Sequence, residues 1–221
     1  MSRANFAQQL RTLHDEVLLL GSMVDRSIER AVDALKRRDL EEAKRIVADD
    51  DLINRRRFQI EDLCLQTIAM QQPMASDLRV IASVLYVIAD LERMADHAEG
   101  IAKIVIRMGD EPPIKPLIDI PLMADKARWM LRSVLDAFVS HDVEAAKRIA
   151  DADDEVDALY DRVQHDLLML MIRDQSNIER ATYLLWAAHN LERVGDRVTN
   201  ICERIAFMAT GRMEEINVST Y

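Results

Sequence analysis

Leu91-Glu92-Arg93-Met94-Ala95-Asp96 returns as Leu191-Glu192-Arg193-Val194-Gly195-Asp196, at an offset of 100 residues. Each copy lies in a long, glycine-poor stretch with helical periodicity. Glu and Asp four residues apart stand one above the other on one helix face, so each copy presents a paired carboxylate. One such pair carries little information. The same pair at the same depth of two related helices marks a duplicated site. Further out, Asp39-Leu-Glu-Glu-Ala-Lys-Arg-Ile-Val-Ala-Asp-Asp-Asp51 matches Asp142-Val-Glu-Ala-Ala-Lys-Arg-Ile-Ala-Asp-Ala-Asp-Asp154 at 8 of 13 positions, at offset 103. The offset falls to 100 because the first half carries extra residues near Gln71-Gln72-Pro73-Met74. Ordered similarity over two blocks is the signature of an internal repeat.

The periodicity fills in the helices. Phe6, Leu10, Leu13, Val17, Leu20, Val24, Ile28, Ala31 and Leu35 recur three and four apart along a first helix. Asp39 is placed to cap a second, with Glu42 completing a capping box, and Pro73 stops it after about Gln71. A third helix starts at Ser76, carries the stripe Val84, Ile88, Leu91, Ala95, Ala98, Ala102 and Val105, and ends near Gly109. Four of the five prolines, Pro112, Pro113, Pro116 and Pro121, then fall within ten residues. In the second half a shorter fourth helix turns Ala127, Leu131, Val134 and Phe138 inward, and Asp142 opens a fifth. Ser176-Asn-Ile-Glu179 reads as a capping box for the sixth, with stripe Leu184, Ala188, Leu191, Gly195, Val198, Cys202 and Ile205.

The expected fold is all-α: two tandem antiparallel three-helix bundles related by internal duplication. Residues 1–109 form the first bundle, 110–120 a proline-rich linker, 121–210 the second bundle, and 211–221 a frayed tail. Prolines in the linker deny helical hydrogen bonds, so the first half is expected to fold by itself as a helical bundle unless the interface between the halves is large.

Composition narrows the function classes. A net charge of -10 argues against nucleic acid, which needs a basic stripe, and against electrostatic attachment to anionic lipid. No apolar run approaches the ~20 residues of a membrane span, and the first residues lack a signal-peptide core. Cys64 and Cys202 stand alone in mid-helix, as expected of inert thiols in a reducing cytoplasm. There is no Glu-x-x-His pair of the di-iron type, no phosphate loop and no nucleophile elbow, so the sequence offers catalysis no support.

The acidic positions are the unusual ones. Glu92 and Asp96 follow Leu91 and Ala95 and so flank the apolar stripe; Glu192 and Asp196 do the same beside Leu191 and Gly195. Glycine costs a helix interior ~1 kcal/mol against alanine, so Gly195 implies a close approach to the backbone. Asp50 lies between Ile46 and Ile53, and Asp153 between Ile149 and Val156, on faces that should be apolar. Asp157 extends the ridge, where the first half has Asn54. A buried carboxylate must be paired, metal-bound or at the rim. Two readings stay open: interhelix salt bridges to Arg93, Arg193, Arg55 or Arg56, or an oxygen-rich metal site. His97 and His189 fall near the clusters at non-equivalent places.

With its doubled motif, proline linker and acidic ridges, nearly the whole chain resembles the PhoU family, the accessory and regulatory proteins of the phosphate-specific transport system. The resemblance implies a cytoplasmic, non-enzymatic protein, acting as a homodimer. It would couple the ATPase of a phosphate ABC transporter to a sensor histidine kinase and touch the membrane only through those partners. It also implies metal ions (Fe, Zn, Mn, Mg or Ca) held by Asp50, Glu92 and Asp96 in the first half and by Asp153, Asp157, Glu192 and Asp196 in the second. The departures at Asn54 and at Asn190, which replaces Asp90, point to unequal sites. A metal-free structural adapter and a metal-storage or metal-dependent bundle are the other classes.

Overall fold

The structure, a computed structural model, describes residues 3–112 and 114–217. Pro113 of the linker and the last four residues of the tail lie outside the described residues. Seven α-helices carry the fold: α1 (Arg3–Arg37), α2 (Leu40–Gln71), α3 (Ala75–Met108), α4 (Asp119–Ser140), α5 (Val143–Asp151), α6 (Asp153–Arg173) and α7 (Ile178–Thr210). No strand occurs among the described residues. The first three helices pack as one bundle, and α4, α5–α6 and α7 pack as its counterpart. The two tandem three-helix bundles that the repeat predicts are therefore present.

Local chemistry explains most boundaries. Asp39 and Asp142 sit at equivalent positions and cap α2 and α5 in the same way, accepting the backbone N–H of Glu42 and Ala145 at 2.9 Å. The capping box itself is incomplete, because the Glu42 carboxylate turns to Arg30 on α1 instead of reaching back. Gln72, with φ of 47°, closes α2 in the left-handed region just before Pro73, and Gly211 closes α7 with φ of 71°. The Ser176 box does not form. Asp174 instead accepts the Ser176 N–H at 2.9 Å and caps a single 3₁₀ turn (Gln175–Asn177) that leads into α7.

The largest departure from the repeat is in the fifth predicted helix, which is broken. α5 ends at Asp151, Ala152 forms a turn (φ -74°, ψ -11°), and α6 restarts at Asp153. The first-half counterpart, α2, runs unbroken through Asp49 and Asp50.

The halves also share more than a linker. One contiguous cluster of buried residues runs through both, with α3 packed extensively on α7 and α1 on α4. Asp90 accepts hydrogen bonds from Arg197 (3.4 Å) and Asn200 (3.3 Å), while His97 meets Asn190 at 3.0 Å. Position 90 thus faces 197 and 200, and positions 97 and 100 face 190, so α3 and α7 cross antiparallel about a pseudo-two-fold axis, as in an isologous dimer interface. A Cβ at Gly100 would lie 3.0 Å from Asn190 Oδ1, which sets how closely the helices cross. The Asp90/Asn190 difference accordingly belongs to this crossing and not to the acidic motifs. On the second seam Arg128 of α4 grips Asp25 of α1 with two nitrogens (2.9 and 3.1 Å) and Glu29 with a third (2.9 Å). Gly21 on α1 leaves the space that Leu135 of α4 occupies. Linker residues are pinned as well, by Arg38 to the Asp110 and Glu111 carbonyls and by Lys115 to Asp166 at 2.6 Å.

Candidate functional site

Two clusters of carboxylates lie at equivalent places, one between α2 and α3 and one between α5–α6 and α7. The first gathers Asp50, Glu92, Asp96 and Glu99, close enough for the three on α3 to act on the charge of Asp50. The second gathers Asp153, Asp157, Glu192 and Asp196, with Asp154 beside them. Every acidic residue singled out in the sequence therefore falls in one of the two clusters. Glu99 was missed. Its signal was its place one turn beyond Asp96 on the same face, which the duplicated motif hides because the second half has Thr199 there.

The clusters are not equivalent in depth. Asp50 is at the rim, half-buried, and accepts the Asn54 amide at 2.8 Å. Burial first, then the charges of Glu99 and Asp96, push its carboxyl up to about 6. Asp153 is 6% exposed and its Oδ1 has no hydrogen-bond partner. Burial, followed by Asp157, Asp196 and Glu192, pushes its carboxyl up to about 7. Glu192 is 5% exposed, and burial with the charge of Asp196 pushes it up to about 7 against the pull of Arg193. Asp157 is raised too, by burial and by Asp196.

The sequence places Glu192 beside the stripe; the structure buries it. The close approach implied by Gly195 is the Asp153 carboxylate. A Cβ at position 195 would fall inside the van der Waals radius of Asp153 Oδ1, so only glycine admits it. The break at Ala152 and the missing Cβ at 195 work together: the first starts a new helix at Asp153, the second makes room on α7 to receive it. Ala95 and an unbroken α2 leave Asp50 outside.

Arg93 and Arg193 each pair with the carboxylates of their own motif, and Arg193 also acts on the charge of Asp157 across the helices. Arg93 reaches Asp96 at 3.0 Å and Glu92 at 3.7 Å; Arg193 reaches Asp196 at 2.8 Å and Glu192 at 3.0 Å. Spacings of one and three residues put the guanidinium over its own motif, whereas Arg56 pairs with Glu16 of α1. The first cluster sets Arg93 and Lys103, which holds Glu99 at 2.6 Å, against four carboxylates, and the second sets Arg193 against four, so carboxylates outnumber cations in both. His97 serves the α3–α7 crossing, and His189 lies 3.4 Å from Glu192.

The donor set is made of carboxylate oxygens, suited to hard or borderline cations. The orphaned Asp153 Oδ1 is an oxygen with capacity to spare. Among the described residues, however, no three His, Cys, Asp or Glu side chains converge with ligand geometry. Coordination would need Arg93 and Arg193 to release the carboxylates they hold. Cys64 and Cys202 are fully buried and both thiols are pushed up to about 12, mainly by burial, as inert core thiols should be. No helix among the described residues is long and apolar enough to cross a membrane.

Comparison with known proteins agrees with this geometry. The PhoU domain model matches twice, over residues 17–105 and 120–205. The chain is 37% identical to the phosphate-specific transport system accessory protein PhoU homolog of Clostridium acetobutylicum, over 98% of this chain and 100% of that one. It is 32% identical to the accessory protein PhoU of Escherichia coli, over 94% and 86%. The crystal structure of PhoU from Pseudomonas aeruginosa superposes with a TM-score of 0.88 at 30% identity, covering 94% of this chain and 100% of that one. That of the phosphate transport system regulatory protein PhoU from Streptococcus pneumoniae gives 0.89 at 32%, covering 96% and 100%. Duplicated bundles, the doubled carboxylate motif and this likeness along the whole chain identify the protein as a member of the PhoU family.

Proposed function

We propose that the protein restrains phosphate uptake and the phosphate-starvation response by binding, with no chemistry of its own. Its partners on this reading are the ATPase of a phosphate ABC transporter and a membrane-anchored sensor histidine kinase. It would meet them in the cytoplasm as a homodimer and approach the membrane only through them. The names of its relatives support the transport connection. The observation that carries the reading is the pair of under-neutralised carboxylate clusters at matching places in the two halves. Folding gains little from crowding four carboxylates together, and least from Asp153, which is buried with an oxygen that has no partner. A regulator without a reaction acts by binding two states of a partner with different affinity, and a rigid, doubled acidic face is suited to that task.

Metal fits the same reading. Asp50, Glu92 and Asp96 would hold it in one half, and Asp153, Asp157, Glu192 and Asp196 in the other. Bound there, a cation supplies no catalysis; it offsets the carboxylate repulsion and cross-links neighbouring helices. A metal-free adapter is the second reading, favoured by the arginines that already bridge each motif. Elemental analysis of protein purified without chelator separates the two. Deleting the gene tests the regulatory claim: phosphate uptake and a starvation reporter should both rise in phosphate-rich medium. Unchanged uptake and reporter output would refute it.

A further inference from the structure

Beyond α7, Ile216 and Asn217 are docked on the second bundle. Ile216 packs against the core, and its N–H donates to Glu203 Oε1 at 3.3 Å. Asn217, held in the left-handed region with φ of 53°, donates its side-chain amide to the Ala150 carbonyl at 2.8 Å and to Asp154 Oδ1 at 3.2 Å. These contacts lie on either side of the α5–α6 break. In an unbroken helix the Ala150 carbonyl would receive the N–H of Asp154; here it receives the tail. Asparagine suits the position, because it tolerates positive φ and carries both a donor and an acceptor.

We propose that the tail is a latch on the α5–α6 break, and that Asn217 is a positioning residue for Asp153 in the second acidic cluster. With the latch closed, α6 begins at Asp153 and its carboxylate is seated at Gly195. With it open, the Ala150 carbonyl keeps only the Ala152 N–H of the turn, and the joint is free to straighten as α2 does. That carries Asp153 out toward the rim place that Asp50 holds in the other half. The latch and Gly195 together set the difference in depth between the two halves.

Cys202 provides a readout independent of metal. It is fully buried on α7, beside the Ala150 backbone and close enough to Asp153 to feel its charge, so opening the joint uncovers it. Cys64, fully buried in the other half, reports global opening. Labelling of the full chain by a disulfide reagent should quicken at Cys202 about fivefold in Asn217→Ala, the loss expected of one hydrogen bond. Truncation after Gly211 should quicken it further, with Cys64 unchanged. No change at Cys202 in either variant, or an equal rise at Cys64, overturns the latch.

The consequence for the site rests on the metal reading, and is measured by titrating Mn²⁺ into protein carrying Glu92→Ala and Asp96→Ala. Adding Asn217→Ala should weaken binding about tenfold, as loss of an outer support does. Equal binding with and without Asn217, in protein whose Cys202 is uncovered, overturns the positioning role. If Mn²⁺ does not bind even with the tail intact, the metal reading fails and the thiol labelling alone decides the latch.

Discussion

Replacing Asp153 with asparagine should change how stability depends on pH more than stability itself. The Asp153 carboxyl is almost wholly buried and pushed from 3.8 up to about 7, first by burial and then by the carboxylates around it. An acid raised in the folded state favours folding while it is protonated. Its contribution is complete below about pH 4 and is lost as pH rises toward 7. Roughly two pH units of that window lie above pH 5, and at ~1.36 kcal/mol per unit this one group costs the wild-type protein about 2–3 kcal/mol between pH 5 and pH 8. Asparagine does not titrate. Its extra buried N–H group costs ~1–3 kcal/mol if unpaired, but by the same amount at every pH. The stability of Asp153→Asn relative to wild type should therefore rise by about 2–3 kcal/mol from pH 5 to pH 8, in the presence of chelator. Urea titrations at each pH, compared at equal slope, read the difference. Parallel pH profiles for the two proteins would refute the burial of a strained carboxylate at this joint.

Gly195→Ala should gain the ~1 kcal/mol of helix propensity on paper but show no rise in thermal midpoint, because its Cβ displaces Asp153. Calorimetry reads this, and a clear rise would mean that the space at 195 serves nothing. Gly21→Val should lose about 1–3 kcal/mol by overpacking against Leu135, measured by urea denaturation. A fragment of residues 1–110 keeps α1 to α3 but strips α3 of α7. It should be helical by circular dichroism and self-associate in light scattering, and a stable monomer would contradict the shared core.

Much of this was legible in the sequence, and the failures have physical causes. Apolar spacing placed α1, α3, α4 and α7, the caps at Asp39 and Asp142 placed α2 and α5, and the repeat placed the bundles. Gly195 announced a close approach before its visitor was known. The break at Ala152 left no trace, since Asp151-Ala-Asp-Asp154 holds no proline or glycine and reads like Ala48-Asp-Asp-Asp51, which stays helical. Its stabilising contacts come from Asn217 and Gly195, far away in sequence. The same distance hid the tail, whose docking depends on one asparagine. It also hid the pseudo-two-fold crossing, in which Asp90 and Asn190 serve an interface although they immediately precede the motifs. The linker prolines mark the chain break between the halves, whereas packing between distant faces leaves no mark in the sequence.

The most direct test is genetic. A strain lacking the gene, carrying a phosphate-responsive reporter, is complemented at equal protein level with wild type or with Glu92, Asp96, Glu192 and Asp196 all changed to alanine. If the clusters carry the signal, wild type restores restraint in high phosphate and the quadruple variant leaves the reporter on. Full restraint by a folded quadruple variant would mean that the acidic motifs serve the fold and not the regulation.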